Sequence, residues 1–407
     1  MSGLCNDKHE VLYLSYTGLM EPLGRSQVLA YLSRLSNEFS FTVVSFEKRG
    51  DLVDSLLFDD VRGQCNALGI RWVPRVYHRR PRIISTLWDI LIMAWLTLYY
   101  CVSGRSKLVH SRSYVPTAVA WVCGKATGVP YLFDMRALWP EELVSSGRLR
   151  NGGILYRIIK WAERRMLADA AGIVSLTNAA VSHLKGEHPA TDGKAYKVIT
   201  TCVDLDRFSV QRRSEVFDAD SHLVIGAMGT LTSGWFHLDW LFRFFAEVKR
   251  RRPSATLKLV TRDSPERLFL SARQCGINVE DIEITASSPQ DVPAHLADMA
   301  VALMFFKAGI GKLGSAPTRM AEVLACGIPV VGNTGVGDMG HLIQHYNVGV
   351  LLEDGSPGAI SAAVDSLLHC LEDADLALRC SSAAKEYFSA DIGADRYRDL
   401  YRSIIGS

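Results

Sequence analysis

Between Ser315 and Met339 the chain reads SAPTRMAEVLACGIPVVGNTGVGDM, a stretch that places anion-binding and hydroxyl-binding groups one helical turn apart. Pro317 suits the first turn of a helix, where no N–H donor is needed, and Gly327 suits its stop. Backbone N–H groups near Ser315, Thr318 and Arg319 then point at an anion with the helix dipole behind them. Glu322, one turn further along, can accept hydrogen bonds from a pair of sugar hydroxyls. Together these describe a pocket for a nucleotide-sugar diphosphate. The alternative is an ordinary helix–strand unit with Glu322 paired to Arg319 on a wet face. The glycines that follow, GNTGVGDMG, have G-x-x-G-x-G spacing, lie in the last third of the chain and lack the acidic residue of a dinucleotide fingerprint, so a backbone turn near phosphate fits them better.

A second group lies in YLFDMRALWPEE. An apolar strand delivers Asp134 and Arg136 at its carboxyl end, on one face because strand side chains alternate. Asp134 could orient an acceptor hydroxyl or take its proton, and Arg136 could bind an acceptor phosphate or steady developing charge. The alternative is a buried Asp–Arg pair joining strand to helix. Of Glu141 and Glu142, one could face the site and the other solvent. His110 and Arg112, which end LVHSR, follow the same strand-end logic, with local satisfaction as the ordinary alternative. Near the start, TGLMEPLGRSQ offers Gly24 for close backbone approach and Arg25 and Ser26 for an acceptor or phosphate, although turn chemistry alone would explain the glycine. VDLDRF has the D-x-D spacing of a divalent-metal site, but it follows the last strand of the first half, where the two halves join; the DAD runs at 218–220 and 373–375 read as loop or helix-end acids, and no catalytic metal or other cofactor is expected.

Elements that can position these groups alternate along the whole chain. VLYLSY, FTVVSF, IRWVPR, LVHSR, YLFDM, AGIVSL and KVITT, then LVIGAMG, ATLKLVT, IEITAS, MAVALMFF and IPVVGN, are apolar runs separated by helical patterns such as SQVLAYLSRLS. That is the signature of βαβ units and mainly parallel sheets, in two series that meet near Val203. The 407 residues, 48% of them hydrophobic, suffice for two cores, and a net charge of +2 gives no overall pull toward nucleic acid. The nine cysteines are scattered and form no C-x-x-C, which fits a reducing cytosol and neither a disulfide framework nor a zinc site. MSGLCNDKHE lacks the long apolar core of a secretory signal.

Residues 83–102 contain only four polar side chains, Ser85, Thr86, Asp89 and Thr97, and are flanked by RVYHRRPR and by Arg105 and Lys107. The length allows a membrane span, but spanning would part the first βα units from their sheet. An interfacial helix, with Trp88 and Trp95 at headgroup depth and arginines on anionic lipid, fits better than a span; a buried core helix is the other alternative.

In combination, LSYTGLMEPLGRSQVLAYL, VHSRSYVP, YLFDMRALWPEE, ADAAGIVSLTNAAV, VITTCVDLDRF and SAPTRMAEVLACGIPVVGNTGVGD resemble, in this order and over nearly the whole chain, the retaining glycosyltransferases of family 4. The resemblance implies an α/β, GT-B architecture: two Rossmann-like, doubly wound parallel-sheet domains facing each other across a cleft. Residues 1–202 would bind acceptor, 203–382 the nucleotide sugar, and a helical tail, 383–407, would pack back on the first domain. It implies that Glu322 binds the donor ribose and that the helix start before it holds the diphosphate. Position and chemistry add Gly24, Gly229, Thr230, Arg262, Lys307, Lys312, Ser315, Pro317, Thr318 and Arg319 as expected donor-site residues. Asp134 and Arg136 would be catalytic, and Arg25, Ser26, His110, Arg112 and Glu141 would meet the acceptor.

This chain departs from that pattern in two places. Gly314 stands where many members have the first of two glutamates, and Thr230 and Phe236 stand about where an arginine and a lysine clamp the diphosphate. Charge builds on the leaving phosphates, so Lys307 and Lys312, with Arg262 and Arg319 behind them, are the substitute cations; the alternative for each is a solvated surface charge. Many members also carry a histidine about where Asp134 lies. The expected activity is transfer of a UDP- or GDP-linked sugar to a glycan or polyprenyl-linked acceptor in cell-surface polysaccharide synthesis. The expected setting is cytoplasmic, peripheral on the inner face of the membrane through 75–107. A nucleotide-sugar 2-epimerase of similar fold and a non-catalytic membrane-associated assembly partner are the rivals.

Overall fold

The computed structural model describes residues 8–209, 222–288 and 290–406; Cys5 and the DAD run at 218–220 lie outside them. The chain divides into two compact units, Met1–Thr200 with Ala390–Ser407, and Thr201–Ser389.

Unit 1 holds seven strands, β1 (His9–Ser15), β2 (Phe39–Glu47), β3 (Arg71–Val76), β4 (Ser106–Arg112), β5 (Tyr131–Met135), β6 (Gly172–Ser175) and β7 (Tyr196–Val198). They form one parallel sheet in the order β3-β2-β1-β4-β5-β6-β7. The order reverses between β1 and β4, which marks the place where ligands bind beyond the carboxyl ends of such strands. Five helices matter below: α1 (Ala30–Leu35), α2 (Arg82–Val102), α3 (Tyr114–Thr127), α4 (Ile154–Asp169) and, from the end of the chain, α7 (Ala390–Ile405). Ser111 Oγ of β4 meets Thr117 Oγ1 of α3 at 3.0 Å, whereas the neighbouring His110 reaches Tyr401 of α7. Adjacent strand residues point to opposite faces, so α3 and α7 cover opposite sides of this sheet.

Unit 2 holds β8 (Val224–Met228), β9 (Thr256–Val260), β10 (Ile282–Thr285), β11 (Val301–Met304), β12 (Val330–Asn333) and β13 (Gly349–Leu352) in the order β10-β9-β8-β11-β12-β13, again parallel. Its switch point lies between β8 and β11. Two helices are needed here, α5 (Thr318–Ala325) and α6 (Leu376–Phe388). The sequence reading missed β13, a four-residue strand that begins at Gly349 with φ 150°. A Cβ there would stand 1.9 Å from the Val330 carbonyl oxygen, so only glycine lets this edge strand join β12.

The seam falls between Thr200 and Thr201, beside the expected junction near Val203, and the returning segment starts at Ala390, later than the expected residue 383. Burial explains the later start. Cys380, Ala383, Ala384 and Phe388 sink into the core of unit 2, which keeps α6 there to its end. Beyond Ser389 the buried side chains of α7, among them Tyr397, Leu400 and Tyr401, pack within unit 1 against α1 and β4.

Candidate functional site

In unit 2 the nominated donor residues come from three strand-end segments around the switch point. α5 begins at Thr318, with Pro317 as its N-cap in extended backbone (φ −66°, ψ 109°). Met320 N–H donates to the N-cap carbonyl of Pro317 at 3.0 Å, while the N–H groups of Thr318 and Arg319 come ahead of the helix's own hydrogen-bond ladder. Gly327, at φ 75°, closes the other end, where Gly327 N–H donates to Leu324 O and Ile328 N–H to Val323 O. Glu322 lies one turn inside and is only 13% exposed; its carboxylate pairs with the half-exposed Arg319. Burial raises the Glu322 pKa, with Arg319 and Arg207 pulling the other way. The Glu322–Arg319 pair therefore forms, but on a largely buried carboxylate rather than a wet face.

The loop after β8 leaves through Gly229 at φ 109°, a left-handed conformation that glycine adopts freely. Asp263, at the end of β9, accepts hydrogen bonds from Leu231 N–H at 2.6 Å and Thr232 N–H at 2.9 Å, which fixes the chain just past Thr230. Trp235 and Phe236 then pair with the segment after β11: Lys307 N–H donates to the Trp235 carbonyl, and Phe236 lies edge-on against Phe306. Phe236 is thus core. Beside it the Lys312 ammonium sits 3.9 Å from the centre of the Trp235 ring, a cation–π contact that parks the charge next to the start of α5. Ser315 N–H donates to Lys312 O, tying that lysine to the turn before α5. Lys307 is exposed, and Arg262 is exposed with one bond to the Ser287 carbonyl. Trp235 was missed in sequence; a tryptophan in a strand-end loop beside a lysine-rich one was its only signal. A groove of about 860 Å³ along β13 and the loop past Asn347 contains none of the nominated residues.

In unit 1 the strand-end group differs from the expectation. Asp134 is completely buried. It accepts hydrogen bonds from Tyr397 Oη at 3.1 Å, His110 Nε2 at 3.3 Å and Arg136 Nη1 at 3.3 Å, and Arg112 Nη1 stands 3.7 Å away. Burial opposes ionisation of Asp134, yet Arg136, His110 and Arg112 outweigh it and hold the carboxyl well below the ordinary range. A carboxylate so enclosed does not take a proton from an acceptor; the role assigned to Asp134 is corrected to that of an anchor. His110 is likewise buried, not acceptor-facing. Desolvation lowers its pKa, which leaves a neutral ring. Ionised Asp134 can only accept, so Nε2 carries the proton and Nδ1 accepts from Tyr401 Oη at 2.5 Å. Arg112 and Arg136 keep 12% and 11% of their side chains exposed, so they alone of this group reach the surface.

Glu141 is also drawn elsewhere. Tyr156 Oη donates to it at 2.8 Å, and Lys160 lies 3.5 Å away. The same ammonium bonds Glu163 and, at 2.8 Å, Glu187, with His188 Nε2 3.2 Å from Glu163. Glu163, Glu187 and His188 have the grouping of metal ligands among the described residues, but Lys160 already supplies their positive charge. Asp204 of the D-x-D pair uses its side chain to accept from Asp206 and Arg207 N–H, a turn-capping role.

The β1 loop is moulded on a residue that the sequence reading passed over. Glu47, fully buried at the end of β2, accepts from Leu19 N–H at 2.9 Å, Met20 N–H at 3.1 Å and Ser45 Oγ at 2.5 Å. Gly24 packs under this loop, where a Cβ would lie 2.2 Å from the Gly18 carbonyl oxygen and 2.7 Å from Leu19 Cα. Gly24→Ala is therefore expected to destabilise unit 1 by about 1–3 kcal/mol through forced backbone movement, read as a lowered melting temperature; an unchanged melting curve would contradict this packing. Arg25 and Ser26 follow in a π-helical turn, Arg25–Leu29, of the kind that often marks functional sites. Arg25 Nε is buried without a hydrogen-bond partner among the described residues.

The chain matches two family descriptions, Glycosyl transferase 4-like domain over residues 27–193 and Glycosyl transferases group 1 over residues 222–370. It belongs to the group 1, family 4-like glycosyltransferases. Solved structures share its fold across nearly its full length. A glycosyltransferase from Rickettsia africae aligns at 15% identity and TM-score 0.69, covering 98% of this chain and 99% of that one. Sucrose-phosphate synthase from Thermosynechococcus elongatus aligns at 13% identity and TM-score 0.69, covering 98% and 100%. HepE from Anabaena, in complex with UDP-glucose, aligns at 15% identity and TM-score 0.66, covering 97% and 99%. The fold is GT-B, two Rossmann-like parallel-sheet domains. No curated relative matches the chain in sequence.

Proposed function

We propose that this glycosyltransferase takes its sugar from a UDP- or GDP-linked donor and passes it, with anomeric configuration retained and without a metal ion, to a glycan or polyprenyl-linked acceptor in surface-polysaccharide synthesis. The observation that carries this reading is α5, whose leading N–H groups, at Thr318 and Arg319, stand one turn before the largely buried carboxylate of Glu322. The first turn receives the diphosphate, and Glu322 accepts from the ribose hydroxyls. The solved HepE complex with UDP-glucose supports a nucleotide-sugar donor in this fold. Lys312, held against Trp235, supplies positive charge to the departing phosphates in place of the absent clamp, with Lys307, Arg262 and Arg319 further out. In unit 1, Arg136 and Arg112, set by the buried Asp134, meet the acceptor, and Arg25 offers its unpaired Nε near the β1 loop.

Calorimetry with UDP and GDP in excess chelator, followed by product analysis with donor alone and with added acceptor, tests this reading. Chelator-insensitive binding and acceptor-dependent transfer are expected. Epimerised donor sugar without acceptor, or absence of nucleotide binding, would overturn it. Lys312→Ala is expected to weaken nucleotide binding roughly tenfold, the scale of one charge-assisted hydrogen bond; unchanged affinity by the same calorimetry would remove Lys312 from the site.

A further inference from the structure

Helix α2 is amphipathic in the wrong sense for a water-facing helix. Its polar residues Ser85, Asp89 and Thr97 are buried, and Asp89 accepts from Tyr16 Oη, His78 N–H and the His78 ring. The side it turns outward carries Ile83, Trp88, Leu91 and Trp95, each more than half exposed. Residues Ile83–Val102 are long and apolar enough to cross a membrane, but α2 packs on α3, β1 and β4 within unit 1. A span is excluded by those contacts and a buried core helix by the outer face.

The inversion does not stop at α2. α4 buries Glu163, Met166 and Leu167 and exposes Ile154, Leu155, Ile158 and Trp161, with Ile154 82% exposed. α3 lies between the two helices and touches both. It exposes Val122, and its Trp121 meets the Trp161 ring edge-on at 6.0 Å. Of the large apolar side chains that the described residues leave exposed, all but Leu23, Val53, Leu56, Leu270, Ile310 and Leu378 lie on these three helices. Exposed large apolar side chains gathered on neighbouring helices mark an interaction surface rather than an ordinary water-facing one.

Charge selects the occupant. The acids of α2 and α4 that point inward are buried, and Asp169 at the end of α4 is bonded to Trp121 and Lys125. Arginines surround the apolar face: Arg79 and Arg80 before α2, Arg148 and Arg150 before α4, and Arg157 and Arg164 along α4, all exposed. Tryptophans within an apolar face and cations at its margin are the pattern of an interfacial surface on anionic lipid. We infer that α2, α3 and α4 together form a platform that docks unit 1 on an anionic bilayer surface. Crossover helices run antiparallel to their parallel strands, so the starts of α2 and α4 lie at the carboxyl end of the sheet. Arg136, just beyond β5, lies at that same end, where a lipid-carried acceptor would arrive.

This inference stands without the donor-site reading, and its test uses none of the donor residues. Full-length protein is sedimented with vesicles of phosphatidylcholine alone and of phosphatidylcholine with an equal part of phosphatidylglycerol, at rising salt. Binding should be strong only to the anionic vesicles and should fall with salt. Trp88→Ser/Trp95→Ser on α2 and Ile154→Ser/Ile158→Ser on α4 should each weaken binding roughly tenfold or more with melting temperature and nucleotide binding unchanged, because the removed groups face outward. Absence of vesicle binding, an α4 variant that binds like wild type, or sedimentation velocity showing that this face is instead covered by a second copy would each overturn the platform.

Discussion

Asp134→Ala is expected to destabilise unit 1 by about 3–5 kcal/mol, enough to unfold a marginal domain at physiological temperature, because it strands buried cations without their counter-charge. Arg136 and Arg112 would keep their guanidinium groups largely out of water with no carboxylate to face, and the Tyr397 hydroxyl and His110 Nε2–H would lose their acceptor. Asp134→Asn keeps the shape but not the charge and should fall between alanine and wild type. The pH profile separates this anchor from a catalytic group. The Asp134 pKa is held down in the folded chain, so its contribution to stability is present above about pH 4, the ordinary carboxylate value, and is lost as pH falls below it. Wild type should lose stability steeply on acidification, and Asp134→Asn should show a flatter acid limb. A variant that melts like wild type but loses turnover would instead return Asp134 to a chemical role.

Glu322→Ala should act in the opposite way. The two hydrogen bonds it is proposed to accept from the ribose are charge-assisted, so affinity for UDP or GDP should fall by roughly ten- to a hundredfold. The folded chain should scarcely notice. Burial raises the Glu322 pKa, so the ionised carboxylate is no source of stability before donor arrives, and its partner Arg319 is half exposed and can turn to solvent. Calorimetry and melting curves on the same preparation give both readings. Wild-type affinity would dismiss the ribose contact; a collapsed melting temperature would make the residue structural.

The contrast between these two carboxylates shows what was legible before the structure. The α5 segment carries its own instructions: a proline at the start, an apolar stripe, a glycine stop and a strand follow within 25 residues, and the fold reproduces them to within one position, Pro317 serving as N-cap rather than first helical residue. Both parallel sheets were readable from alternation for the same reason. The surroundings of Asp134 were not, because its Tyr397 partner lies 263 residues later and the Tyr401 partner of His110 lies 291 residues later, on a helix that returns to unit 1 from the far end of the chain. No local pattern reports that a strand-end carboxylate will be roofed by a distant helix. Glu47 hid similarly: a single acid ending FSFTVVSFE looks like a strand edge until the β1 loop, 28 residues earlier, folds onto it. The cost of desolvating an acid is local, but what offsets it is tertiary.

Unit 2 is proposed to hold the nucleotide at the start of α5, and a crystal of the protein soaked with UDP or GDP would show where it binds. Diphosphate density is expected against the N–H groups of Thr318 and Arg319, with the ribose hydroxyls on Glu322 and Lys312 turned toward the phosphates. Ordered nucleotide along the β13 groove, or anywhere apart from α5, would contradict it.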